Sequence, residues 1–448
     1  VPSVSAQPGH AQDVRAAAHW LAGELRRIGL EDVHVCPTAR HPIVYAQWLH
    51  AANRPTLIIY GHYDVQPAEP LSAWRSPPFA PVVRGCNLYG RGACDDKGQL
   101  YAHIKALEAY LQTLGRLPVN VKCIFEGEEE IGSPNLKQFI MRNRTALSAT
   151  GAVISDTRML GPNRPALIYA LRGGLALELE VRGPAGDLHS GTFGGAIHNP
   201  LQAICEIIAA LHDRHGRVAI PHFYDQVRTC RAAERAAMAN SGPTNRQIRL
   251  SARLPHWLRT WGEVGFSQYE RTTIRPALTI NGLDGGYRGA GGKAVIPAAA
   301  RAKLSFRLVP NQDPCTIERQ FRSYLAAIAP PSVDVRVRVQ SQSKPALIDR
   351  HSAVVAAAVT AFHCGFGVEP IFVRSGGSIP VVNMFQEVLG IPTALMGFAL
   401  PDDSIHAPNE KFHLPNFYRG ISTCIWFLQA LADQQMTLSP TVSSSHVS

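Results

Sequence analysis

The sequence predicts an α/β protein: a main domain with a largely parallel sheet flanked by helices, interrupted by a smaller inserted α+β domain. Three observations carry this. Short apolar, β-branched runs of strand length alternate with amphipathic helical stretches over residues 1–172 and again over 346–436. Between them, over 173–345, the strands read as alternating apolar and polar residues, most clearly in VDVRVRV at 333–339. Finally, 448 residues exceed what one hydrophobic core organises. The Ser/Thr stretch 437–448 is expected to be a disordered tail.

Taken in order, Val14, Ala18, Leu21, Leu25 and Ile28 form the apolar stripe of a helix over 12–28, stopped by Gly29. The run TLIIY at 56–60 is a buried strand that leads directly into His62 and Asp64. After a Pro-rich loop, GRGACDDKG at 90–98 turns the backbone into a helix over 97–114, with Leu100, Ile104, Leu107, Leu111 and Leu114 on one face. Residues 119–125 and 151–155 are two further buried strands, ending at an acidic cluster and at Asp156. In the insert, strands are expected at 175–181, 303–309 and 333–339, with helices at 200–213 and 314–328. The Arg-rich segment 214–275 gives no clear periodicity. Beyond Lys344–Pro345 come a helix near 351–363, a glycine turn at 374–378, a helix near 380–389, a strand at 392–397 and a last helix over 415–431.

Composition narrows the functional classes. The net charge of +10 is spread over scattered arginines with no basic run and no interleaved aromatics, which argues against a nucleic-acid partner. No apolar run reaches the ~18–20 residues of a membrane span. The nine cysteines form no CxxC pair, which favours reduced thiols and a cytoplasmic location over a disulfide framework.

The chemistry concentrates at CIFEGEEEIGS, 123–133, where Glu126 and Glu128–Glu130 crowd four carboxylates at the end of a buried strand. Such crowding costs hydration and repulsion unless something positive offsets it. A solvated acidic turn before a helix accounts for the cluster equally well when it is taken alone. His62, Asp95, Glu130, Asp156 and His406, however, all fall in turns at element ends, where open α/β sheets bind ligands. This mixture of imidazole and carboxylate suits zinc, manganese or cobalt.

GHYDV at 61–65, GRGACDDKG at 90–98, EGEEEIGS at 126–133, SDT at 155–157, DLHSG at 187–191, SFRLVPNQDP at 305–314, RSGGSIP at 374–380 and SIHAPNEK at 404–411 together resemble the dinuclear metallopeptidase family of carboxypeptidase G, aminoacylase and the cytosolic nonspecific dipeptidases and carnosinases. DLHSG, GGSIP and APNEK point to the dipeptidase and carnosinase branch. The resemblance implies a catalytic domain holding two divalent ions, zinc first with manganese or cobalt as alternatives, and a lid inserted in it through which a homodimer forms. It implies that His62 and Asp156 bind one ion, Glu130 and His406 the other, and that Asp95 bridges them, followed by a cis peptide to Asp96. By the same resemblance Glu129 is the general base, Asp64 orients His62, and His189 on the lid stabilises the oxyanion, in trans in a dimer. Arg307 with Gly376, Gly377 and Ser378 would hold the substrate's C-terminal carboxylate. Glu128 is one carboxylate more than the pattern carries, which leaves the register of Glu129 and Glu130 open by one. Ala294 stands where the family commonly has Thr. Cys94, beside Asp95, reads as packing. The expected activity is hydrolysis of dipeptides or short peptides. An N-acyl or N-carbamoyl amidohydrolase on the same scaffold is the alternative, and an inactive metal or peptide binder the remote one.

Overall fold

The computed structural model describes residues 1–434, so the stretch 437–448 lies outside the described residues. The chain divides into two compact units: Val1–Tyr169, Ile348–Val373 and the chain from Pro380 on form one, and Ala170–Leu347 with Arg374–Ile379 form the other. Residues 374–379, read from sequence as part of the main domain, therefore group with the insert.

In the first unit a six-stranded sheet has the order Glu31–Cys36, Ile43–Trp48, Asn120–Glu126, Thr56–His62, Gly151–Ile154, Thr393–Leu395. The last four run parallel; at one edge Ile43–Trp48 pairs antiparallel with Asn120–Glu126, and Glu31–Cys36 antiparallel with Ile43–Trp48. The strands Thr56–His62 and Asn120–Glu126 are buried along almost their whole length, as expected of sheet centres covered by helices on both faces. In this register His62 lies opposite Glu126. The carboxyl ends of neighbouring parallel strands thus deliver His62, the glutamate cluster and the Ser155–Asp156 turn to one edge of the sheet. Helix Ala11–Arg27 buries Val14, Ala18, Leu21 and Leu25; helix Lys97–Leu114 buries Leu100, Ile104 and Leu107 and packs against the last helix, Leu414–Gln434. Gly98 permits a close approach at the start of its helix, because a Cβ there would stand 2.0 Å from the Ala93 carbonyl oxygen.

The second unit is built on a four-stranded antiparallel sheet ordered Ala277–Gly285, Ala299–Leu308, Gly173–Arg182, Asp334–Ser343. Period-two alternation sends Leu175, Leu177, Leu179 and Val181 against Ile204 and Ile207 of helix Pro200–Ala210 and Phe321 and Leu325 of helix Pro314–Ile328. The opposite face carries charge, with Glu178 and Glu180 registered against Arg338 and Arg336. The segment that sequence left unplaced folds as helices Ala232–Ser241, Asn245–Ser251 and Gln268–Thr273 around Met238, Tyr269 and Ile274. Among the described residues no helix is long and apolar enough to cross a membrane.

Candidate metal centre and anion site

Two clusters of potential metal donors form in the first unit. His62, Glu129 and Asp156 make one, and Asp95, Glu130 and His406 the other; the donor atoms of each lie within 4.8 Å of one another. Asp95 touches both clusters. Its Oδ1 is 3.2 Å from His62 Nε2 and its Oδ2 is 2.8 Å from His406 Nε2. His406 Nε2 is also 3.2 Å from Glu130 Oε1.

Buried carboxylates set this geometry. Both oxygens of Asp64 are used: they accept the backbone N–H groups of Glu129 and Glu130 at 3.2 and 3.1 Å, while Oδ1 stands 3.4 Å from His62 Nδ1. Asp64 therefore fixes an imidazole and two glutamates at once. Glu410 does the same for the Asp95 loop, accepting from the Arg91 guanidinium at 2.7 Å and from the N–H groups of Gly92, Cys94 and Asp95 at 3.1, 2.9 and 3.0 Å. Sequence reasoning missed Glu410; its only signal was a charged residue four places after His406. The Asp95–Asp96 peptide is cis. Glu128 belongs to neither cluster. Its oxygens accept from Thr38 Oγ1, the His41 N–H and the Asn135 side chain at 3.0, 2.8 and 2.9 Å, so the extra carboxylate is consumed in holding loops. Cys94 is buried and its thiol faces Asp403, with burial pushing its titration well up, as a packing residue should show.

The electrostatics call for cations. Burial, reinforced by Glu130, Asp64 and Asp95, pushes Glu129 up to about 8. Burial and then Asp95 and Asp96 drive Asp156 well above the carboxylate range. Burial opposes charge on His62, but Asp64 and Asp95 outweigh it and hold the imidazole well above its usual range. His406 is raised to about 10 by Asp95 and Glu130. Protons are thus being recruited to neutralise a crowd of carboxylates, which divalent ions would do better. Mixed imidazole and carboxylate donors fit such ions.

The remaining predicted residues lie on the second unit. His189 is exposed, sits opposite Val295 in a two-residue ladder, and accepts the Gly191 N–H at 3.0 Å. Arg307 is exposed at the end of its strand and donates to Ser378 Oγ at 3.2 Å. The turn carrying Gly376, Gly377 and Ser378 is held from several sides. Arg172 donates from its N–H to the Gly377 carbonyl at 3.1 Å and from Nε to that of Gly376 at 3.0 Å. The Tyr269 hydroxyl bonds both the N–H and the carbonyl of Arg374, at 2.9 and 3.0 Å, and the Arg374 guanidinium pairs with Glu234. These bonds are why 374–379 group with the insert.

Known proteins agree with this architecture. The chain is 31% identical to the Cys-Gly metallodipeptidase dug1 of Schizosaccharomyces pombe, over 96% of its own length and 93% of that protein's. Human Beta-Ala-His dipeptidase is 31% identical over 87% of the chain and 78% of its own. Among solved structures, human carnosine dipeptidase 1 superposes with a TM-score of 0.83 at 30% identity, covering 97% of this chain and 94% of that one. The M20 family metallo-carboxypeptidase Sso-CP2 of Sulfolobus solfataricus superposes at 0.87 with 32% identity, covering 96% and 97%. Residues 58–430 match the Peptidase family M20/M25/M40, and the chain belongs to that family.

Proposed function

We propose that the protein is a metal-dependent dipeptidase that cleaves the peptide bond of dipeptides or short peptides, with Glu129 as general base. The observation that carries this is Asp95, whose two oxygens reach an imidazole of each donor cluster, beside a half-buried Glu129. In this reading His62 and Asp156 would hold one divalent ion and Glu130 and His406 the other, with Asp95 a ligand available to both. Zinc suits the donors best, ahead of manganese or cobalt. Bound there, the ions supply the Lewis acidity that acidifies water and polarises a carbonyl. Glu129 would then take a proton from the attacking water and return it to the leaving amine, the work of a carboxylate placed beside His62 and Asp156. Asp64 keeps His62 oriented and the Glu129–Glu130 backbone fixed. His189 donates to the carbonyl oxygen as negative charge develops, and Arg307 with Gly376, Gly377 and Ser378 holds the terminal carboxylate. The names of the dipeptidase relatives support this choice of substrate.

The test is turnover of a dipeptide panel, set against N-acetyl and N-carbamoyl amino acids, after stripping the protein of metal and adding back zinc, manganese or cobalt. Dipeptides should be cleaved only after metal returns. Glu129→Gln should keep two ions per chain while kcat falls by ~10²-fold or more. Cleavage of acylated amino acids alone would reject the dipeptidase assignment in favour of an amidohydrolase.

We also read the working form as a homodimer joined through the inserts, with His189 acting at the partner's metals. The strand Asp334–Ser343 lies at an edge of its sheet, and pairing two such edges would cover an open row of backbone groups. Mixing Glu129→Gln chains with His189→Ala chains should then restore activity. No recovery after demonstrated subunit exchange would return His189 to its own chain's site. The nine free cysteines fit a reducing cytoplasm.

A further inference from the structure

We infer that Arg172 is the second guanidinium of the anion site formed by Arg307 and the Gly376–Ser378 turn, and that the pair selects substrates ending in a free carboxylate. This rests on the carboxylate-holding role proposed above for Arg307.

Register and chain path bring the two arginines to one turn. Arg307 lies directly opposite Gly174 across an antiparallel pair, and Arg172 is two residues before Gly174 on the same chain segment. Arg172 itself stands between strands Ala166–Leu171 and Gly173–Arg182, where the chain passes from one sheet to the next, close enough for the charge of Arg307 to act on it. Both then meet the same turn, Arg172 through the carbonyls of Gly376 and Gly377 and Arg307 through Ser378 Oγ. The Arg172 guanidinium lies close along the turn: a Cβ on Gly376 would stand 3.1 Å from its Nη2.

Charge completes the argument. Several arginines of this unit pair with carboxylates, Arg374 with Glu234, Arg235 with Glu270, Arg275 with Glu263 and Arg301 with Glu180, whereas others such as Arg249 and Arg271 bond only carbonyl oxygens. Among the described residues neither Arg172 nor Arg307 has a carboxylate partner; their side-chain bonds go to the Gly376 carbonyl and the Ser378 hydroxyl. Burial, with the charge of Arg307 adding to it, holds Arg172 down to about 10, a cost that an incoming anion would relieve. Two uncompensated planar forks at one turn match a carboxylate. With Nε engaged on Gly376, the two Nη groups of Arg172 are left to bind it.

The experiment compares wild type, Arg172→Met, Arg172→Lys and Arg307→Met on one dipeptide and on its C-terminal amide. Calorimetric binding of the free product amino acid and of its amide to the metal-loaded proteins reads the same preference without turnover. Wild type should favour the acid in both assays. Arg172→Met should raise KM for the acid about tenfold or more, with kcat little changed and the amide unaffected. Arg172→Lys should recover part of the loss, and would answer the question alone if the Met variant failed to fold. A wild-type preference for the acid that survives in both Arg172 variants would overturn the inference and leave the role of Arg307 standing. Equal loss on acid and amide would overturn it too, by reducing Arg172 to a support for the turn. No acid preference in wild type would instead remove the carboxylate reading itself.

Discussion

Glu128, Glu129 and Glu130 are chemically identical neighbours that the structure sends to three different places. Glu128 is closed off by Thr38, His41 and Asn135, Glu129 joins His62 and Asp156, and Glu130 joins Asp95 and His406. Glu128→Ala should therefore lower stability, since three loop donors lose their acceptor at ~1–3 kcal/mol for a buried unsatisfied group. Both ions should remain. Glu130→Ala should do the reverse, losing metal with little change in the fold of the metal-free protein. Melting curves and metal analysis on the two variants check this, and metal loss from Glu128→Ala would show it to be a ligand after all. At this scale the sequence was informative where a donor stands beside a strand end, as with His62, Asp95 and Asp156. It assigned no role to Glu410 or Arg172, whose partners are distant in sequence and largely backbone atoms, which carry no residue-type signature.

Helix Lys97–Leu114 carries a group with a consequence of its own. His103 is buried at 3% exposure, bonds Ser155 Oγ at 2.7 Å, and is held down to about 4 by burial. Below the ordinary histidine value near 6.5 the unfolded chain takes up a proton that the folded chain refuses, so stability falls as pH drops toward 4. The full loss amounts to ~3 kcal/mol on the scale of 1.36 kcal/mol per pH unit. Denaturant unfolding of wild type and His103→Gln at pH 7 and pH 5 isolates it: the wild type should lose more than the variant between the two. Equal losses would mean that His103 is protonated in the fold. Elements were legible where burial was one-sided or complete, as in Thr56–His62 and Gly173–Arg182. The edge strand Glu31–Cys36 was not, because half of its residues are polar and only Val33 is buried. The three helices between 232 and 273 are short, and the first two bury little beyond Met238. Their readable signal lay in the capping boxes Thr244–Gln247 and Ser267–Glu270, which amphipathic periodicity does not detect.

For the whole molecule, the division of labour is uneven. Among the described residues both donor clusters lie in the first unit, although the second is inserted within its sequence. The insert leaves and returns through adjacent backbone, with Leu171 opposite Ala346 and Ala170 opposite Leu347. Replacing residues 170–347 with a short linker should thus give a protein that still melts at higher temperature with zinc than without, yet cleaves no dipeptide. Absence of any metal-dependent shift would tie the donor clusters to the insert. The insert was legible from the change of period near Gly173, but the affiliation of 374–379 was not, since it depends on bonds to Arg172, Glu234 and Tyr269. That affiliation bears on inheritance. An insert exchanged between relatives arrives without the turn it must hold, so residues 374–379 and their three anchors should change in concert over evolutionary time, and a chimaera that moves one without the other should keep its metals and lose its selectivity.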